Sequence, residues 1–315
     1  TIRPDSPHLD LLIHRPADRE GAPVFLGLNF WGNHATVDDP GVFVTPSNTR
    51  FLENAPPPGQ PQRRGYAASR WPYETIVAAG YAVATAYHGD LAPDDRDRWR
   101  EGAARWLLPE GRGLPQGAEP GVLALWAWGL SRAVDYLQTR RNLNPRRIAA
   151  IGHSRLGKAA LWCAANDERV KLIVSNNSGC GGAALSRRCF GETFAFGSHM
   201  IPHWYCGNFR QYSQAEDKLP VDQHELLALL APRPVYVASA TEDAWADPKG
   251  EFLSALEAGP VYRLLGGEGL PATVQPPPDT PIMSRHVGYH LRTGRHNITR
   301  WDWERFLEFA ARAAW

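Results

Sequence analysis

Residues 146–166 read "RRIAAIGHSRLGKAALWCAAN". An apolar run from Ile148 to Ile151 stops at Gly152, Ser154 follows two residues later, and from Leu156 the pattern is that of a helix. A strand that ends in Gly-His-Ser and passes straight into a helix has the shape of a nucleophile elbow. Such a turn lifts a hydroxyl above the end of a sheet, with the amides of a helix N-terminus behind it to receive a developing oxyanion. The match to G-x-S-x-G is partial: Gly152 stands two before the serine, but Leu156 stands two after it and the second glycine comes at 157. An ordinary strand–turn–helix junction would look similar, so the other members of a triad have to be found.

The segments on either side repeat the strand–helix alternation. Before the elbow, "LDLLIHRP", "APVFLGLNF" and "YAVATAYHGD" read as strands, "YETIVAAG" as a short helix closed by Gly80, and "GVLALWAWGLSRAVDYLQT" as a long amphipathic helix. After it, "VKLIVSNNSG", "RPVYVASATED" and "SRHVGYHLRTG" read as strands, and "HELLALLA", "PKGEFLSALEAG" and "TRWDWERFLEFAARAA" as helices. Residues 55–65, "APPPGQPQRRG", hold too much Pro and Gly for a regular element, and 86–120 reads as an excursion at the edge of a sheet. The alternation predicts an α/β fold: a mainly parallel central sheet with helices on both faces, a three-layer sandwich. No composition break marks a linker, so residues 1–315 are expected to form one catalytic domain.

Composition excludes several classes of function. A formal charge of +1, without a lysine-rich tail or an aromatic RNA-binding motif, argues against nucleic acid as a partner. No apolar run approaches the ~20 residues that span a bilayer, so no membrane partner is expected. The opening "TIRPDSPHLDLL" has no charged-then-apolar leader, which fits either a cytoplasmic chain or one whose signal peptide has been removed. Four cysteines separated by 17, 9 and 17 residues fit no zinc pattern; they are free thiols, or two of them form one structural disulfide. Of twelve tryptophans most should lie in the core, while a few exposed ones would suit the flat apolar faces of sugar rings.

The triad partners follow in the order Ser, acid, His that α/β-hydrolases use. The strand "PVYVASA" ends in "TEDAWADP", which offers Glu242, Asp243 and Asp247. Asp243 falls just past the strand end and before the next helix, whereas Asp247, followed by Pro248, suits a helix N-cap. Among the late histidines, His286 and His290 belong to the last strand and its exit. His296 lies in the loop beyond Gly294 and three residues before Thr299, a plausible N-cap of the final helix. That loop is where the base of such a fold belongs, so His296 is the expected base.

"GHSRLGKAA" resembles the G-C-S-R-x-G-K-x-A signature of the glucuronoyl esterases, carbohydrate esterase family 15. "FGETF", "DQHELLALLAPRPVYVASATEDAWADPKGEF" and "GYHLRTGRHNITRWDWERFL" are similar to its bacterial branch. The resemblance implies an α/β-hydrolase fold, no metal and no cofactor. It also implies hydrolysis of the ester between 4-O-methyl-glucuronic acid of glucuronoxylan and lignin alcohols, and hence lignin–carbohydrate esters as the partner, a secreted or periplasmic location and a monomer. By position it makes Ser154 the nucleophile and His296 the base, gives Arg155 a share in the oxyanion hole, and assigns Lys158, Glu192 and Trp245 to the uronate ring. Lys158 stands one helical turn beyond Ser154 and can share its face. Arg155 adds a permanent charge beside the nucleophile.

Two positions depart from the family pattern. His153 stands where fungal members carry cysteine, so no disulfide beside the nucleophile is expected. Asn177 stands where many members carry a catalytic glutamate; an amide cannot balance an imidazolium, which moves that task to Asp243. The rival readings are an acetyl-xylan or related esterase of the same fold, which needs no ring clamp, and an inactive carbohydrate-binding homologue, which needs no intact triad.

Overall fold

The computed structural model describes residues 8–46, 60–111, 113–313 and 315. The early elements are β1 (Leu12–His14), β2 (Ala22–Asn29), α1 (Tyr73–Ala78), β3 (Ala82–Tyr87), α2 (Ala104–Leu107) and α3 (Val122–Gln138). The elbow joins β4 (Leu143–His153) to α4 (Arg155–Asn166), followed by β5 (Val170–Asn176), α5 (Phe194–Met200) and α6 (Gln223–Ala228). The chain then forms β6 (Val235–Ala240), α7 (Pro248–Glu257), α8 (Gly259–Leu264), β7 (Ile282–Met283), β8 (Val287–Arg292) and α9 (Arg300–Arg312). The strands form one sheet in the order β1-β3-β2-β4-β5-β6-β8-β7. The six inner strands run parallel, and β1 and β7 close the two edges antiparallel.

Successive side chains of a strand point to opposite faces, and the core follows that period of two. Val24, Leu26, Ile148, Ala150, Ile173, Val235 and Val237 pack on one face with residues of α3, α4, α6, α7 and α8. Phe25, Ala149, Ile151, Leu172, Val174 and Tyr236 pack on the other, against Tyr73 and Ile76 of α1 and Trp303, Phe306 and Phe309 of α9. The strands are apolar on both sides because both sides are covered, as parallel sheets require. This is the mainly parallel, doubly covered sheet that the alternation predicts, and it fits the α/β-hydrolase fold that the family resemblance implies.

The sheet reverses its winding between β2 and β4, and in open parallel sheets the crevice beyond the strand ends at such a point is where sites form. Ser154 follows β4, Asn177 follows β5, Asp243 lies just after β6 and His296 lies after β8. Short pieces that sequence periodicity did not resolve are α2, α5, α8 and the two-residue β7. Of the predicted loop 55–65, residues 55–59 lie outside the described residues, and 60–65 hold no helix or strand.

Candidate active site

Ser154 sits at φ 57° and ψ −132°, a backbone conformation that a residue with a side chain rarely adopts. Strain of this kind costs on the order of 1–3 kcal/mol and persists only where the surroundings hold it. Here the Ser154 amide donates to the Asn176 carbonyl at 2.9 Å, and the Ser154 carbonyl accepts from the Gly157 amide at 2.8 Å. The first turn of α4 also crosses the end of β4 so closely that a Cβ on Gly152 would fall 2.0 Å from the Leu156 carbonyl oxygen. A Cβ on Gly157 would fall 3.0 Å from the Gly152 carbonyl oxygen. The two glycines therefore face each other, and the G-x-S-x-x-G spacing serves the close strand–helix approach.

The sequence favours Asp243, and the geometry separates it from its neighbour Glu242. Asp243 is buried, and its Oδ2 lies 2.6 Å from Nδ1 of His296. Glu242 is 58 % exposed, pairs with Arg295 at 3.7 Å and does not line the cleft. Asp247 does precede Pro248 at the start of α7, but its carboxylate caps no amide and instead accepts from Arg188 Nε at 2.7 Å. The same Oδ2 of Asp243 that meets His296 also accepts from the Asn177 amide nitrogen at 2.7 Å. Asn177 thus contributes a neutral donor to the Asp243 carboxylate.

The loop carrying His296 is held from both ends. Arg292, at the end of β8, donates from Nη2 to the carbonyls of Arg295 at 2.9 Å and Asn297 at 3.1 Å, while its Nε meets the Asp302 carboxylate at 3.0 Å. Thr299 and Asp302 form a reciprocal capping box at the start of α9, as the N-cap reading of Thr299 anticipated. A cap of this kind is worth about 1 kcal/mol, and here it also fixes where the histidine loop ends. His290 is buried and spends its Nε2 on Asp302 at 2.9 Å, which removes it from consideration as the base.

His153 packs beside His296, with ring centroids 4.5 Å apart. Its Nδ1 donates to the Asn176 side-chain oxygen at 2.6 Å. Burial, reinforced by the neighbouring His296 and Arg70, holds its pKa well below the usual imidazole range. His153 is therefore neutral at working pH and adds no charge against a developing imidazolium. The four cysteines are all free thiols.

Arg155 is buried and its guanidinium pairs with Asp94, a residue the sequence did not single out. Asp94 is fully buried, and its other oxygen accepts from His203 Nε2 at 2.9 Å and Trp204 Nε1 at 2.7 Å. Burial alone would raise this carboxyl, but Arg155 and His203 outweigh it and hold the pKa well below the usual carboxylate range. The Trp204 ring lies 5.0 Å from the Arg155 guanidinium and 5.4 Å from the Lys158 ammonium, so one indole packs against both cations. Lys158, buried on α4, reaches Glu192 Oε2 at 2.6 Å and also bonds the Cys180 carbonyl. The Glu192 amide is in turn fixed to the Trp245 carbonyl at 2.8 Å.

These groups border one open cleft of about 480 Å³. Ser154, Arg155, Lys158, Glu192, Asp243, Trp245 and His296 all line it, so the seven residues to which the sequence and the resemblance gave roles come to one place. Trp245 is 48 % exposed and takes Phe196 against it edge to face at 4.8 Å, leaving an indole surface toward the cleft. Among the residues that line it without having been anticipated are the aromatic and cationic Trp31, Tyr66, Arg70, Phe196 and Trp204. Glu251 lies just behind: its carboxyl accepts from the amides of Ser178 at 2.7 Å and Gly179 at 3.1 Å, and burial pushes its pKa up to about 8. It holds the loop that presents Asn177.

Comparison with known proteins agrees with this geometry. Residues 73–266 match the family described as "Glucuronyl esterase, fungi". A carbohydrate esterase of an unknown prokaryotic organism is 48 % identical over 313 residues, covering 97 % of this chain and 71 % of its own. Among solved structures, a promiscuous esterase of carbohydrate esterase family 15 from a marine bacterial metagenome is 46 % identical, with a TM-score of 0.91 over 100 % of this chain and 79 % of that one. The glucuronoyl esterase of Solibacter usitatus is 44 % identical, with a TM-score of 0.92 over 99 % of this chain and 79 % of that one. The strained Ser154, the Asp243–His296 contact and these likenesses together assign the chain: it belongs to the glucuronoyl esterases of carbohydrate esterase family 15.

Proposed function

We propose that the chain hydrolyses the ester joining 4-O-methyl-glucuronic acid of glucuronoxylan to an alcohol of lignin, through an acyl-enzyme on Ser154. The observation that carries this reading is the 2.6 Å contact between His296 Nδ1 and Asp243 Oδ2 beside an elbow serine lining the same cleft. With Nδ1–H committed to Asp243, Nε2 of His296 is the atom that takes the Ser154 proton as Oγ attacks the ester carbonyl. The tetrahedral oxyanion is received by the Arg155 amide and guanidinium. As the intermediate collapses, His296 returns the proton to the leaving alcohol. Water then attacks the uronoyl ester of Ser154 with His296 again as base, and as that ester bond breaks His296 returns the proton to Ser154 Oγ, releasing the free uronic acid.

On this reading Lys158, Glu192 and Trp245 bind the sugar. The Lys158–Glu192 pair at 2.6 Å has no net charge, so it suits the hydroxyls of a neutral uronate ester more than a bare anion. Trp245 supplies an apolar plane for the ring or its methoxyl group. An acetyl-xylan esterase would have no need of such a clamp. Hydrolysis of benzyl glucuronate compared with 4-nitrophenyl acetate tests the proposal, the glucuronate ester being the expected substrate; activity on the acetate alone would refute it.

Two further outcomes are expected. Esters of galacturonic acid, the C4 epimer, should show kcat/KM at least about tenfold lower than their glucuronate counterparts, the cost of leaving a placed polar group unpaired. Equal rates on the two epimers would remove the basis for assigning Lys158, Glu192 and Trp245. Asp94→Asn should lower kcat by about a hundredfold while changing KM much less, because Arg155 loses the carboxylate that fixes it and is left buried without a counter-charge. A variant that loses affinity and turnover equally would place Asp94 in general packing instead.

A further inference from the structure

Three cations line the cleft, and they are not equivalent. Arg155 is neutralised by Asp94, and Lys158 by Glu192. Arg70 has no carboxylate partner among the described residues; its guanidinium lies over the Trp31 ring at 5.2 Å. Trp31 in turn packs edge to face on Tyr66 at 5.2 Å, and all three residues line the cleft. The backbone of Arg70 is pinned by Trp303 Nε1, which donates to its carbonyl at 2.9 Å, so this is a positioned cation.

Its position identifies which part of the substrate it meets. Arg70 also borders a small adjoining hollow together with His153 and Ile298, and its charge helps depress His153, whose ring lies tilted against His296 at 4.5 Å between centroids. Arg70 therefore stands on the His296 side of the cleft. His296 delivers its proton to the leaving alcohol, so the alcohol portion of the ester is the part next to Arg70. A guanidinium presents a planar fork of donors that matches a carboxylate in two parallel hydrogen bonds.

We infer that Trp31, Tyr66 and Arg70 form an alcohol-side subsite that selects esters whose alcohol carries a carboxylate. The inference deepens the proposed function and rests on it. It is tested on the full chain with two matched substrates, the 4-carboxybenzyl and 4-carbamoylbenzyl esters of glucuronic acid, which differ in charge and little in shape. In the wild-type enzyme at low salt, kcat/KM for the carboxybenzyl ester should exceed that for the carbamoyl ester by about tenfold, the usual scale of a charge-assisted hydrogen bond. The ratio should shrink in high salt, as screening of a partly exposed pair requires. It should fall to near one in Arg70→Gln and keep its direction, reduced, in Arg70→Lys. A wild-type ratio within about twofold of one overturns the subsite, as does a preference that survives Arg70→Gln. Failure of the underlying reading looks different: no hydrolysis of either benzyl ester or of methyl glucuronate, which would overturn both.

Discussion

Replacing Ser154 with alanine is expected to lower turnover of a glucuronate ester by about five orders of magnitude or more, since the attacking atom is removed. The fold should survive the change. Ser154 holds its place through backbone bonds to Asn176 and Gly157, and its side chain is no part of those contacts. Alanine still has to occupy φ 57°, so the local strain remains and is not the source of the loss. Two measurements check the result. Single-turnover kinetics on a slow ester should show an acyl adduct on the intact protein, seen as a mass increase at the peptide containing Ser154, and the alanine variant should show none. Retention of more than about a tenth of wild-type turnover by a folded Ser154→Ala protein would mean that another nucleophile, or direct attack by water, carries the reaction.

The parts of this site that were legible in the sequence are those tied to periodic elements. Ser154 could be placed because Ile148–Ile151 and the α4 pattern bracket it, and the order of the triad then pointed to acids after the β6 run and to a histidine after the last strand. Asp243 was preferred over Glu242 for its place just past the strand end, but only geometry could exclude its neighbour, since adjacent residues in a turn can face opposite ways and no period governs them. Asp94 left no trace for a different reason. It lies in a stretch mixing charge, Gly and Pro, read as an edge excursion, yet it is carried to the centre of the site and buried under Arg155. A single acid in an aperiodic segment looks solvated until its partner, 61 residues away in sequence, is seen beside it. Arg292 is similar: its strap across the His296 loop runs to backbone carbonyls, which any residue at 295 and 297 would supply. The resemblance to the family supplied Glu192 and Trp245, which the local pattern of "FGETF" and "TEDAWADP" could not have distinguished from surface residues.

Asp243→Asn is expected to lower kcat by about three to four orders of magnitude, the scale on which triad acids act, with the fold intact. A carboxylate at 2.6 Å from Nδ1 keeps the proton on that nitrogen, leaves Nε2 as the base and stabilises the imidazolium that forms. An amide at the same place can present N–H to Nδ1, which selects the wrong tautomer, and carries no charge in either case. The neighbours offer no substitute. Glu242 faces Arg295 at the surface, and Asn177, the residue closest to taking over, is itself an amide that donates to Asp243 at 2.7 Å. That contact also bears on the second variant. Asn177→Glu in the wild-type background would set two carboxylates where one donor–acceptor pair now stands, and like charges so close raise the pKa of one of them. Activity should then require a higher pH than before. In the Asp243→Asn background the same glutamate faces an amide that can donate to it, and recovery of at least about tenfold is expected if its oxygen reaches Nδ1 of His296. The single variant decides the assignment. Near-normal turnover by folded Asp243→Asn would mean that His296 is ordered by something other than the carboxylate it touches.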